Sequence, residues 1–181
     1  MKIKETPLKD CYIIEPIILE DERGYFFEKF NEKKFEEITG MNGHFVQDNI
    51  SKSLYGVLRG VHLQKGQHAQ AKLVSCLEGK VWDIAVDLRE DSPTFGKWFG
   101  IELTPENKLQ LYVPRGFGHG FSVLSETAVF SYKCDNFYNK DSEGSVIWND
   151  PDLNIDWKLP NEVIILSEKD KILPKFSEKN F

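Results

Sequence analysis

Short runs rich in Val, Ile, Phe, Tyr and Trp recur along the chain, separated every several residues by Gly, Pro, Asn and Asp. Apolar runs of this length bounded by turn formers predict strands, and their succession predicts an all-β sandwich or barrel. The clearest cover 12–14, 24–30, 56–63, 72–77, 81–88, 98–103, 109–113, 120–123 and 128–134. Glu78-Gly79-Lys80 reads as a tight hairpin turn, with glycine where φ turns positive. One segment breaks the rhythm. Asn31 is an N-cap, Phe35 and Ile38 lie three apart on one face, and Gly40 is a stop, which predicts a short helix over 31–39. Lys33, Lys34, Glu36 and Glu37 then form its solvated face. From residue 149 onward long strands are few, but Trp157, Pro160 and the apolar run 163–166 suit a segment that wraps back on the sheets. With no repeat, low-complexity stretch or linker, residues 1–181 are expected to form one domain. Sequential short strands with closed edges predict a jelly roll or a related double sheet that takes its ligand inside, where inward residues alternate with outward ones.

That alternation sorts the candidate chemistry. In 128–134 it puts Ala128, Phe130, Tyr132 and Cys134 on one face and Val129, Ser131 and Lys133 on the other; Lys133 needs water, so Tyr132 points inward. In 72–77 it groups Lys72 with Val74 and Cys76, an apolar face, so Lys72 either snorkels from a strand end or belongs to a site. Simple alternation separates Arg59 from His62, but a bulge at Gly60 changes the phase and brings both to one cavity. His62 is then a structural or a catalytic histidine. Gln47 and Asn49 share a strand face and suit an amide or carbonyl edge, or bond to a turn backbone. In Pro114-Arg115-Gly116-Phe117-Gly118-His119-Gly120-Phe121 the glycines admit close approach of another strand or of a ligand beside His119.

Composition narrows the classes. The chain is 40% hydrophobic and 13% aromatic, neither disordered nor fibrous. Its 29 acidic against 23 basic residues give a formal charge of -6 with no basic cluster, which argues against nucleic acid and anionic membranes as partners. Any bound anion is held by a few placed cations. The apolar runs are too short for a membrane span, and Met1-Lys2-Ile3-Lys4-Glu5 lacks the apolar stretch of a signal peptide, so a cytoplasmic location is expected. Cys11, Cys76 and Cys134 are widely spaced and odd in number, and read as reduced packing residues. His44, His62, His68 and His119 contain no His-x-His pair, so no metal is expected. Phosphate-loop, dinucleotide and serine-hydrolase signatures are absent from the sequence.

Several motifs together resemble one family. Gln47-Asp48-Asn49, Arg59-Gly60-Val61-His62, Gln70-Ala71-Lys72-Leu73-Val74, Val86-Asp87-Leu88-Arg89, Asp91-Ser92-Pro93-Thr94-Phe95-Gly96, Pro114 to Phe121, Trp148-Asn149-Asp150 and Leu166-Ser167-Glu168-Lys169-Asp170 are similar, in order and spacing, to the dTDP-4-dehydrorhamnose 3,5-epimerases. The resemblance runs from about Arg23 to Asp170. Val61 and Gly118 stand where the family commonly has Leu and Ala, which changes no reacting group.

The resemblance implies an all-β, cupin-type jelly-roll barrel with a few short helices, a homodimer, and no metal or redox cofactor. It implies a dTDP-linked 4-keto-6-deoxy sugar as substrate, whose C3 and C5 protons are acidic because both carbons neighbour the C4 ketone. By position, His62 removes a proton, Asp170 holds and polarises its ring, Tyr132 returns a proton from the opposite face, and Lys72 stabilises the charge on the C4 oxygen. Arg23, Arg59 and Lys169 are implied contacts to the diphosphate or nucleotide, with Gln47, Asp48 and Asn49 along the ligand. Tyr138 stacks on the thymine, His119 and Glu143 complete the contacts, and Phe26 and Glu28 lie on a strand exchanged toward the partner subunit. An enzyme that inverts only C3 or only C5 of a related keto sugar would carry the same residues.

Overall fold

The computed structural model describes residues 1–179 and 181. Its strands are β1 (Lys2–Glu5), β2 (Tyr12–Glu15), β3 (Ile18–Asp21), β4 (Gly24–Phe27), β5 (Gln47–Leu54), β6 (Leu58–Gln64), β7 (Lys72–Glu78), β8 (Val81–Asp87), β9 (Trp98–Leu103), β10 (Gln110–Val113), β11 (Phe117–Val123), β12 (Thr127–Cys134) and β13 (Glu143–Ser145). Between β4 and β5 lies the helix α1 (Glu32–Thr39). Its ends are those the sequence marks: the Asn31 side chain accepts from the Lys34 N–H, and Gly40 closes it with φ 69°. Short 3-10 turns, including Lys140–Ser142 and Asp170–Ile172, complete the secondary structure. No helix among the described residues is long and apolar enough to cross a membrane.

Two antiparallel sheets face each other. One has the order β1-β2-β10-β7-β12-β5 and the other β13-β6-β11-β8-β9, while β3 and β4 form a separate hairpin. Val74, Cys76, Leu111, Ala128 and Phe130 from the first sheet meet Val81, Ala85, Leu103, Phe117, Phe121 and Val123 from the second in the central core. Each sheet is also covered outside. Phe35 of α1 packs with Ile14, Leu73 and Tyr112 behind the first. Behind the second, Leu58, Val61, Ile84 and Val86 lie under Val146, Leu153 and Trp157. The late segment therefore does wrap back, and its backbone is tied to the sheet: Trp82 and Trp98 Nε1 donate to the Asp156 and Leu153 carbonyls, and Ser122 Oγ donates to that of Trp157. Cys11, Cys76 and Cys134 are buried free thiols in this packing.

Several sequence expectations need correcting. The edges are not closed: β5 and β13 end their sheets on the same side without pairing to each other. Ladder pairing there would draw the strands to about 4.8 Å, whereas stacked sheets stand about 10 Å apart, and it is this gap that contains the cavity described below. The strand expected over 24–30 ends at Phe27, because Phe30 instead joins Phe35 and Phe45 in an aromatic cluster with ring centroids 5.2–6.0 Å apart. The strand expected over 120–123 begins at Phe117. β5 escapes the apolar criterion because its sequence, QDNISKSL, is mostly polar and only Ser53 in it is buried.

Candidate active site

Between the sheets, on the open side, is a cavity of about 350 Å³. β5 and β6, with β7, β11, β12 and β13, line its walls, and the loops before β13 and around residues 167–170 form its mouth.

The bulge decides what β6 contributes. His62 pairs with His119 of β11 and Arg59 with Phe121, so three steps along β6 oppose two along β11. The extra residue at Gly60-Val61 reverses the alternation, and both Arg59 and His62 line the cavity. Only glycine fits at position 60: its φ is 128°, and a Cβ there would lie 2.5 Å from Gly120 Cα. The glycines around His119 thus serve the close approach of β6 to β11, with the cavity as a consequence.

His62 Nε2 stands 2.8 Å from Asp170 Oδ1, with the imidazole side chain 33% exposed and the carboxylate 6%. Asp170 Oδ1 forms no hydrogen bond among the described residues, so its contact with the imidazole is an ion pair by distance. Burial pushes the Asp170 carboxyl up, but His62, Ser167 and Lys169 outweigh it and hold it below the usual carboxylate range. With Nε2–H assigned to Asp170 by that partner, Nδ1 of His62 keeps its lone pair and can accept a proton.

Tyr132 reaches the same cavity from β12, in the opposite sheet. Its phenol is raised above its usual value by burial and by Cys134, with Arg59 opposing, so it stays protonated at neutral pH. Lys72 is inward, and its Nζ lies 6.0 Å from the Tyr132 ring centroid. Burial lowers its pKa, while Cys134 and Asp83 pull it back up. His119 lines the cavity, buried, with Nε2 2.9 Å from Asp83 Oδ1; burial lowers its pKa below that of an ordinary histidine.

At the mouth Tyr138 Oη donates to Glu143 Oε1 at 3.0 Å, and Lys169 Nζ pairs with Glu143 Oε2. Gln47 lines the wall, donates from Nε2 to Asn49 Oδ1 at 3.1 Å and accepts from the Tyr138 N–H at 3.2 Å. The Arg59 guanidinium donates to Ser53 Oγ at 3.2 and 3.3 Å.

Five expected site residues do not line the cavity: Asn49 accepts from Gln47, which does, and the other four lie further off. Asp48 is on the outward face of β5, 2.6 Å from Lys133 Nζ, as the period-2 rule demands for the neighbour of Gln47 and Asn49. Arg23 and Phe26 sit on the β3–β4 hairpin, their surface concavity separate from the cavity. Arg23 pairs with Asp21 and its side chain is 85% exposed, and Phe26 is 68% exposed. Glu28 is bonded to Asn31 and Lys34. Conversely, Gln64, Ser51 and Ser167 line the cavity without having been singled out for it. Strand alternation around the bulge would have found Gln64, two residues beyond His62.

A lone-pair nitrogen on one wall, a protonated phenol on the other and an inward lysine can move protons at opposite faces of a carbon acid. Among the described residues no group of three or more His, Cys, Asp or Glu is placed to hold a metal ion. Fold and site together define an isomerase of the cupin-like, two-sheet kind. Residues 5–178 match the family model for dTDP-4-dehydrorhamnose 3,5-epimerase. A dTDP-4-dehydrorhamnose 3,5-epimerase from Shigella flexneri is 50% identical over 181 residues, 100% of this chain and 99% of its own length. The crystal structure of one from Elizabethkingia anophelis NUHP1 superposes with a TM-score of 0.99 at 77% identity, covering 100% of this chain and 99% of that one. The dTDP-6-deoxy-D-glucose-3,5-epimerase of Legionella pneumophila Philadelphia 1, in complex with dTDP-4-keto-L-rhamnose, superposes at 0.92 with 49% identity, covering 97% and 93%. This chain belongs to the dTDP-4-dehydrorhamnose 3,5-epimerase family.

Proposed function

We propose that the protein converts dTDP-4-dehydro-6-deoxy-D-glucose to dTDP-4-dehydro-L-rhamnose in the cytoplasm by inverting C3 and C5 in turn. The observation that carries this reading is the placement of His62 and Tyr132 in opposite sheets across one cavity. His62 Nδ1 takes the proton from a carbon next to the C4 ketone, and Asp170 stabilises the imidazolium so formed. The C–H electron pair moves into the carbon–carbon bond and places negative charge on the C4 oxygen, which Lys72 stabilises. Tyr132 delivers a proton to the other face of the same carbon, and the ketone re-forms with that centre inverted. The ketone is itself the electron sink, so the reaction calls for no metal or redox cofactor.

Arg59 and Lys169 provide the cations for the diphosphate and Tyr138 a ring for the thymine, with Glu143 releasing both Lys169 and Tyr138 on binding. The β3–β4 hairpin belongs to a homodimer in this reading. Its exposed Leu19, Tyr25 and Phe26 suit burial against a second copy, where Arg23, Phe26 and Glu28 would complete the neighbour's mouth. Incubation with the 4-keto sugar nucleotide in heavy water, followed by NMR, tests the activity. Deuterium at C3 and C5 of an L-configured product is expected; label at a single carbon identifies a mono-epimerase, and no label at either carbon refutes the reading.

A further inference from the structure

Beneath the cavity, behind its lining residue His119, lies a carboxyl group that these steps leave unused. Asp83 lies on the inner face of β8, fully buried. Its Oδ1 is 2.9 Å from His119 Nε2, and its Oδ2 has no hydrogen-bond partner among the described residues. A carboxylate so far from water is costly to keep unless opposite charge stands near it. The charged or titratable groups acting on it are His119 from β11, whose ring stacks on Phe130 at 6.0 Å and 16°, and, beyond ion-pair distance, Lys72 from β7 in the opposite sheet. Lys72 is itself faced by Tyr132 and Cys134 of β12 and by Asp83, and His119 by Asp83, Lys72 and His62. Asp83 is the one carboxyl in that set.

We propose that Asp83 is a positioning residue for the epimerisation: its carboxylate keeps Lys72 an ammonium beneath the substrate oxygen and holds His119 neutral, with Nε2–H turned to the floor. This rests on the assignment of Lys72 to the C4 oxygen. Two arrangements carry the same number of protons, Lys72 ammonium with Asp83 carboxylate, or Lys72 amine with Asp83 acid. The cavity favours the first: Lys72 lines it, where solvent or the substrate oxygen receives its charge, while Oδ1 accepts from His119 in either arrangement. Burial pushes Asp83 up and His119 and Lys72 down, and the Asp83–Lys72 attraction opposes the shift on both. With His119 neutral, one carboxylate and one ammonium cancel and the floor carries no net charge.

Asp83→Asn copies the protonated acid in size and keeps an oxygen for the His119 N–H, while removing the charge. The expected result is kcat lowered at least tenfold with KM within twofold, and the alkaline limb of the kcat–pH profile moved to lower pH by a unit or more. In a Lys72→Arg background, whose guanidinium stays charged throughout the working range, the same substitution moves that limb no further. An unchanged profile in Asp83→Asn means that Asp83 is already protonated and overturns the proposal, as does a shift that persists in the Lys72→Arg background. Nitrogen-15 NMR of the unaltered protein at pH 7 needs no variant to fold. It must show His119 protonated at Nε2 alone, and an imidazolium or the Nδ1–H tautomer overturns the proposal too. Absence of deuterium uptake by the unaltered enzyme would remove the functional reading instead, and that control is run first.

Discussion

Replacing Asp170 by Asn isolates what the carboxylate does for His62. The substitution preserves shape, so the backbone contact from the Asp170 N–H to Ser167 Oγ at 3.1 Å can persist, while the negative charge 2.8 Å from Nε2 is lost. Hydrogen bonds to charged groups contribute about 1.5–3 kcal/mol, and this ion pair comes to that scale as the imidazole takes a proton in the transition state and its N–H aligns on the carboxylate. At about 1.4 kcal/mol per factor of ten, kcat should fall about 10- to 100-fold with little change in KM. The assay is the initial rate of solvent deuterium entry at C3, measured by NMR under saturating substrate. Stability offers a second readout. Because the folded Asp170 pKa lies below its ordinary value, its contribution is present above the unfolded pKa of about 3.9 and is lost as pH falls through the folded value. The Asn variant should therefore unfold more readily at pH 7 than the parent, and the difference should narrow below about pH 4. A variant with full kcat would refute the dyad.

Other substitutions separate the remaining roles. His62→Ala should keep the fold, because the side chain is a third exposed, and lose about 10²- to 10⁴-fold in rate with no deuterium washout at C3. Tyr132→Phe should still exchange the C3 proton through His62 while forming almost no inverted product; loss of washout in step with product formation would contradict a proton donor on the opposite face. Tyr138→Ala should raise KM about 5- to 150-fold with kcat retained, as expected for a base stack of about 1–3 kcal/mol, read from steady-state kinetics. Phe35→Ala empties a fully buried site between Phe30, Phe45 and Tyr112, and thermal unfolding should show a loss of about 3–5 kcal/mol.

Much of the scaffold was legible because local rules governed it. α1 starts and stops where Asn31 and Gly40 say, since capping depends on neighbours in the chain. Tyr132 and Lys72 face inward because β12 and β7 pair without a break from Phe130 opposite Cys76 to Cys134 opposite Lys72, so alternation holds there; the register shift lies beyond it, at Val129. The bulge at Gly60 was readable for a similar reason: a glycine between Arg59 and a histidine marks a place where a strand can change phase. β5 was hidden because a polar strand at the edge of a sheet carries no apolar signature, and its register with β12 arises only once β12 is in place.

By itself the sequence determined strand rhythm, inward faces and, through the order and spacing of its motifs, the family. Those are properties of residues a few positions apart, or of a pattern read along one line. Only the tertiary structure decided that the two sheets stay open on one side, and it is what brings Asp170, whose role the family resemblance implied, to His62 from 108 positions away. It also decided that Asp48 and the β3–β4 hairpin lie outside their own chain's cavity, and that Asp83 sits beneath it. Each depends on which strands become neighbours across a sheet or across the gap between sheets. That choice is set by burial of both faces at once, and no local window of the chain contains it.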